Sequence, residues 1–142
     1  MKQFNTKEKV FEHIKKKYSN LHPKGIIIQG STAKGKIKDF SDIDVVVYSE
    51  ESHKPDYELC CLNKKLVLIT TYFYKAGREI NQIPENTVVL EGNCYEQIDI
   101  QKDYTKEERG IRDNQMFLDF LFKYLRTKNE GFLDKLDKYK RF

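Results

Sequence analysis

The sequence predicts a mixed α/β (α+β) domain, in which helices flank a β-sheet and a helical segment follows it. Helical spacing near the N-terminus, short β-branched runs in the middle and a long amphipathic pattern near the C-terminus carry this prediction. The predicted order of helix, strands, hairpin, strand and helices is typical of a mixed sheet with helices packed on it. We expect one domain over 1–142, with C-terminal helices at about 106–141.

The composition supports a hydrophobic core and says little about partners. Hydrophobic residues make up 39% of the chain, with 9 Tyr and 9 Phe, which excludes global disorder. Charged residues reach 34%, but the net charge is only +4. This balance is too weak to indicate a nucleic-acid partner.

The cysteines and the N-terminus predict a cytoplasmic protein. Segment 1–5 has no apolar signal core, and no apolar run approaches the ~20 residues of a membrane helix. Cys60 and Cys61 are adjacent, so their side chains diverge along a strand, and Cys94 stands alone. An odd number of cysteines without disulfide or zinc spacing suits a reducing compartment, and we expect no membrane partner.

The first predicted element is an amphipathic helix over about 6–20. Asn5 and Glu8 resemble a capping box at its start, and Pro23 ends the segment. The apolar residues that recur at helical spacing are Val10, Ile14 and Tyr18.

Two strands are predicted after this helix. The run 26–28 is β-branched and bounded by glycines, which predicts a buried strand. A turn begins at Gly30, and a short helix closes near Gly35 before a polar loop at 36–40. The run 43–48 is apolar on both faces, so we expect a strand in the centre of the sheet.

A β-hairpin is predicted next, with strands at 57–62 and 65–74. If Asn63-Lys64 is a two-residue turn, Glu58 lies opposite Ile69.

Three short segments follow the hairpin. Residues 76–83 predict a short helix that Pro84 stops, and 95–100 predict a strand. The apolar segment 87–90 is ambiguous between helix and strand.

The C-terminal region predicts two helices. A capping box at Thr105–Glu108 begins a helix that runs to about Thr127, Gly131 breaks it, and a last helix covers about 132–139. The apolar stripe of the first of these two helices is wide enough for that helix to be buried or to carry a partner surface. The stripe consists of Ile111, Leu118, Phe122 and Leu125.

Two carboxylates stand one residue apart in the central strand. Because side chains alternate along a strand, Asp42 and Asp44 point to the same face, ~7 Å apart, and repel each other. A divalent cation resolves this repulsion, and Mg²⁺ prefers one or two carboxylates together with substrate phosphates.

The turn before this strand has the features of a phosphate site. Gly30 allows close approach of the backbone, and the Ser31 hydroxyl can donate to a phosphate oxygen. Backbone N–H groups at a helix start can hold phosphates, and Lys34 in the same loop can attract the anion. The segment therefore predicts a metal-and-phosphate site.

The string Gly30-Ser31-Thr32-Ala33-Lys34-Gly35 with Ser41-Asp42-Ile43-Asp44 resembles the signature of the polymerase β-like nucleotidyltransferase superfamily. The similarity is greatest to the minimal nucleotidyltransferases, and it covers about residues 25–48.

The resemblance implies transfer of a nucleoside monophosphate from an NTP, most commonly ATP, to an acceptor hydroxyl with release of pyrophosphate. It implies that Asp42 and Asp44 bind Mg²⁺ or Mn²⁺ and that Gly30 and Ser31 hold the triphosphate. We also expect Lys34 and Ser41 at the nucleotide, with a solvated loop as the alternative role for Lys34 and loop capping as the alternative for Ser41.

The superfamily also supplies a third carboxylate from a later strand, often the second strand of a hairpin. Here that strand, 66–74, contains Thr70 and Thr71 and no acid. We predict Glu58 as the third catalytic carboxylate, with Asp99 as the alternative. The absence of a third carboxylate is also open.

The short chain leaves little room for an acceptor domain, so we expect a small-molecule acceptor at a dimer cleft or a protein hydroxyl. Small members are often paired with a helical partner protein, sometimes as an antitoxin, which makes such a partner or a homodimer an expectation. The alternative function is a catalytically weak or inactive nucleotide-binding or partner-docking module.

Overall fold

The structure combines a mixed β-sheet with α-helices, which confirms the α+β class. The computed structural model describes residues 1–30, 42–51, 53–98 and 106–139. The chain divides into two compact units, Met1–Gln101 and Lys102–Phe142. Within the described part, the first unit contains the sheet and one α-helix, and the second contains two α-helices.

The strands of the first unit are β1 Lys2–Phe4, β2 Gly25–Gln29, β3 Ile43–Ser49, β4 Asp56–Leu62, β5 Lys65–Glu79, β6 Thr87–Gly92 and β7 Tyr95–Ile98. The helices are α1 Lys7–Lys17 in the first unit, and α2 Lys106–Thr127 and α3 Gly131–Tyr139 in the second. A 3₁₀ turn, Ser19–Leu21, follows α1. No helix among the described residues is long and apolar enough to cross a membrane.

Strand β3 lies in the middle of the sheet, as predicted. The strand order is β1-β4-β5-β3-β2-β6, with β7 paired to β5. β3 runs antiparallel to β2 and parallel to β5. All residues of β3 except Asp44 are buried. A central strand has a neighbour at each edge, and its apolar side chains on both faces are buried by the groups that pack on the two sides of the sheet.

The two faces of the sheet bury different side chains. On one face, Val10 and Ile14 of α1 pack against odd-numbered residues of β3, such as Val45. On the other face, Ile27, Val46 and Tyr48 pack with Cys94. The period-two alternation of β3 therefore assigns each of its side chains to one of these faces.

The start of the chain differs from its prediction in two ways. The N-cap of α1 is Thr6, whose hydroxyl accepts from the Lys9 backbone N–H at 3.2 Å, and not the predicted Asn5. The N-terminal residues also form a strand, β1, that pairs with β4 in parallel. This pairing spans about sixty positions of sequence, so no local pattern indicates it.

The hairpin is confirmed in its turn and its register. Asn63 and Lys64 have φ values of 51° and 66°, as a two-residue turn requires, and Glu58 pairs with Ile69.

The segment after the hairpin corrects one prediction. β5 continues to Glu79, so the predicted helix at 76–83 is wrong. The extension pairs with β7, where Ala76 lies opposite Gln97, and this long-range pairing overrides local helix propensity. The ambiguous segment at 87–90 is strand β6, which pairs with β2.

The second unit contains the two predicted helices, but the break between them comes before Gly131. Lys128, with φ 56°, follows the end of α2, and its backbone N–H donates to the Tyr124 carbonyl. Gly131 is the first residue of α3 and not the break. Phe120 is buried and stacks on Tyr139 with ring centroids 5.7 Å apart. The predicted capping residue Thr105 lies outside the described residues.

Candidate active site

Asp44 lies near the start of β3, on the sheet face opposite α1. It shares this face with Val46 and Tyr48 of the same strand. Asp44 is exposed although every other residue of β3 is buried. A carboxylate at the open end of a buried central strand is well placed to meet a ligand.

Gly30 brings the end of β2 against this carboxylate. It follows Gln29, the register partner of Asp44, and has a left-handed φ of 79°. A Cβ added to Gly30 would lie 3.5 Å from Asp44 Oδ2. Because Gly30 has no side chain, the backbone at the end of β2 can come close to the Asp44 carboxylate. Asp42, half-buried, precedes β3 by one residue.

Asp44 belongs to a row of polar side chains, each with a hydrogen-bonding group, that crosses the sheet. It pairs with Gln29 of β2 on one side and with Thr70 of β5 on the other. Gln29 pairs in turn with Thr87 of β6, and Thr70 with Tyr57 of β4. Residues in direct register share a face, so all five side chains lie on the Asp44 side of the sheet.

The sequence did not indicate this row. Its members are separated along the chain, and the pairing of β4, β5, β3, β2 and β6 in that order brings them into line. One local signal was present, since Gln29 ends an otherwise apolar run with a polar side chain.

Glu58, the predicted third carboxylate, lies on the opposite face of the sheet. Its register partner Ile69 pairs with Ile43, and both pack in the core beneath α1. Its carboxylate accepts from His13 Nε2 at 2.9 Å and from Lys17 Nζ at 3.1 Å. The structure therefore does not bring Glu58 to Asp44, because alternation in β4 turns it toward α1.

Glu58 is instead part of a polar cluster that ties α1 to β4. Lys17 Nζ also lies 2.7 Å from Asp56 Oδ2. The Tyr18 hydroxyl donates to Asp56 Oδ2 at 2.8 Å and is hydrogen bonded to Thr71 Oγ1 at 2.9 Å.

The charges of this cluster stabilise one another. Burial alone would raise the pKa values of Asp56 and Glu58. Hydrogen bonds from Lys17 and Tyr18 instead hold the pKa of Asp56 below its usual range. Hydrogen bonds from His13 and Lys17 do the same for the pKa of Glu58. Burial alone would lower the pKa of Lys17, and its hydrogen bonds to the two carboxylates raise it instead. We interpret the cluster as structural.

The remaining predicted site residues, Ser31, Lys34, Ser41 and the alternative Asp99, lie outside the described residues. Across 1–30, 42–51, 53–98 and 106–139, no group of three or more His, Cys, Asp or Glu side chains could hold a metal ion. Asp42 and Asp44 nevertheless fit Mg²⁺ or Mn²⁺, because these ions bind through one or two carboxylates and complete their coordination with substrate phosphates and water.

In this α+β sheet, the left-handed Gly30 thus lies beside Asp44 near the start of the central strand. A family model described as the nucleotidyltransferase domain matches residues 7–125, which include Gly30, Asp42, Asp44 and strands β2 to β7. The chain belongs to this nucleotidyltransferase domain family, which confirms the resemblance seen in the sequence. A comparison with curated proteins found no match.

Proposed function

We propose that the chain transfers a nucleoside monophosphate from ATP to a hydroxyl group of a small-molecule or protein acceptor. The observation that carries this proposal is the position of the left-handed Gly30 beside Asp44, where an added Cβ would lie 3.5 Å from Asp44 Oδ2. Membership of the nucleotidyltransferase domain family supports nucleotidyl transfer in general.

Each site residue has a proposed role. Asp42 and Asp44 would hold Mg²⁺ or Mn²⁺, which neutralises phosphate charge when bound. Gly30 gives the phosphates access to the backbone, and Ser31, Lys34 and Ser41 bind the triphosphate.

The proposed transfer exchanges one bond at the α-phosphorus for another. The acceptor oxygen forms a bond to the α-phosphorus while the bond from that phosphorus to the bridging oxygen breaks. Pyrophosphate leaves with the electron pair, and the hydroxyl proton passes to a base.

We propose Asp99 as this base, since Glu58 faces α1. Asp99 directly follows Ile98, the last residue of β7, whose register partner is Lys75 on β5. The β5 residue in register with Asp44 is Thr70, which has no carboxylate to offer.

Label transfer from α-³²P-ATP in a cell lysate with Mg²⁺ tests the proposal. The purified chain is expected to label an acceptor, and Asp44→Asn is expected to abolish the labelling. Asp137→Asn is the matched control, because it makes the same change at an exposed position of α3. Tight ATP binding without transfer to any acceptor would refute the proposed nucleotidyl-transfer activity.

The second candidate function is a non-catalytic nucleotide-binding or docking module. The threonine at the Asp44 register position of β5 favours it, because the superfamily often has an acid in that strand. The exposed Leu118 and Leu125 of α2 are a candidate surface for a second copy or a helical partner protein. Sedimentation that shows a monomer at micromolar concentration would count against the homodimer.

A further inference from the structure

Gln29 is a polar side chain at an unusual place in the sheet. It ends β2 after three isoleucines that are fully buried. Alternation along β2 puts it on the Asp44 face, and it is half-buried there. Its side chain forms no hydrogen bond with any residue of the described ranges.

The neighbours of Gln29 place it within the candidate site. Asp44 is its register partner across the β2–β3 ladder, where paired Cα atoms are roughly 5 Å apart. Gly30, the next residue, lies against the Asp44 carboxylate. A carboxamide has two N–H donors, and those of Gln29 are within side-chain reach of any anion held at Gly30 and Asp44.

The chemistry of the transfer gives the two sides of Asp44 different roles. In an in-line displacement, the attacking and leaving oxygens lie on opposite sides of the phosphorus. The Gly30 turn continues β2, so a triphosphate bound there has its leaving pyrophosphate on the β2 side of Asp44. The acceptor then approaches from the β5 side, over Thr70 and Tyr57.

We infer that Gln29 binds the leaving pyrophosphate half of the triphosphate, through its carboxamide N–H groups. The inference rests on the proposed function, since it requires a triphosphate at Gly30. An uncharged donor is suited to this position, because a cation beside Asp44 would compete with the bound metal ion. Hydrogen bonds from neutral donors to phosphate oxygens are charge-assisted and stronger than neutral pairs.

Gln29→Met is the variant that isolates this role. Methionine has nearly the length of glutamine and is tolerated at a half-buried strand end, but it donates no hydrogen bond. Gln3→Met is the matched control, since Gln3 is exposed on β1, three strands away from β3. Gln29→Leu repeats the test with a second apolar shape, and thermal unfolding checks that each variant is folded.

Isothermal titration with Mg²⁺-pyrophosphate, Mg²⁺-ATP and AMP then locates the contact without any need for the acceptor. We expect Gln29→Met to raise the dissociation constants of pyrophosphate and ATP about tenfold, as the loss of one hydrogen bond to a charged group predicts. AMP affinity should not change, because AMP lacks the leaving group. Gln3→Met should match the wild type for all three ligands.

The outcomes separate this inference from the proposed function. Unchanged pyrophosphate affinity in a folded Gln29→Met protein would overturn the inference. Equal weakening of AMP and ATP would also overturn it, by placing Gln29 against the nucleoside. If the wild type binds neither ATP nor pyrophosphate, the proposed function itself fails.

Discussion

Replacement of Gly30 by alanine should damage the site far more than the fold. Gly30 has a φ of 79°, in the left-handed region that costs a residue with a Cβ about 1–2 kcal/mol. The added Cβ would lie 3.5 Å from Asp44 Oδ2, an ordinary van der Waals distance, so we expect no further cost from overlap with this neighbour. The free energy of unfolding should therefore fall by about 1–2 kcal/mol.

The effect on the reaction should be larger because the new methyl group would lie against the Asp44 carboxylate, where the metal ion and the phosphates are proposed to bind. A displacement of the phosphates by about 1 Å is enough to lower the rate about 100-fold. We expect Gly30→Ala to weaken Mg²⁺-ATP binding and to reduce nucleotidyl transfer by at least this factor. Urea unfolding measures the stability, and titration calorimetry measures the affinity.

Gly92→Ala provides the contrast. Gly92 also has a left-handed φ, 65°, but its added Cβ would overlap the carbonyl oxygen of Lys24. Strain and overpacking together should cost about 2–5 kcal/mol, while the site at the other end of β2 is untouched. Equal destabilisation by the two substitutions, or wild-type ATP affinity in Gly30→Ala, would refute this reasoning.

Four further predictions concern α1, β4 and the base. Tyr18→Phe should lower the free energy of unfolding by about 1–3 kcal/mol, measured in urea, because it leaves the buried Thr71 hydroxyl without this partner. Glu58→Gln should destabilise the fold but leave ATP affinity and transfer near wild type, and a selective loss of transfer would contradict its placement beneath α1. The pKa values of Asp56 and Glu58, the two carboxyls that Lys17 contacts, are lowered in the folded state. The stability that these carboxylates give the fold is therefore present above about pH 4.3 and is lost as the pH falls through the lowered pKa values. Lys17→Met should therefore flatten the fall in urea midpoint between about pH 5 and 2, and an unchanged acid limb would count against the ion pairs. Asp99→Asn should reduce transfer and leave ATP affinity intact, whereas full turnover in this variant would exclude it as the base.

Local patterns predicted the parts of the fold that depend on neighbours in sequence. The isoleucine run of β2, the apolar β3 and the Asn63-Lys64 turn each contain their own signal, and all three are confirmed. The extension of β5 to Glu79 was missed because its pairing with β7 is not encoded in local propensity.

In the candidate site, too, local patterns predicted some features and long-range strand pairing determined the others. Alternation along one strand predicted that Asp42 and Asp44 share a face, and this remains a prediction for Asp42, which precedes β3. The hairpin turn correctly placed Glu58 opposite Ile69. The face that Glu58 occupies depends on the register of β5 against β3. Glu58 would share the face of Asp44 only if its partner Ile69, instead of Thr70, paired with Asp44. That register is set between distant segments by packing against α1, so the sequence alone could not supply it.

The comparison of two carboxylate variants tests the central claim most directly. Transfer of label from α-³²P-ATP with Mg²⁺ is measured for the wild type, Asp44→Asn and Glu58→Gln under the same conditions. A nucleotidyl-transfer site on the Asp44 face predicts that Asp44→Asn abolishes transfer and that Glu58→Gln retains it. Retained transfer in Asp44→Asn, with loss in a folded Glu58→Gln protein, would contradict the claim.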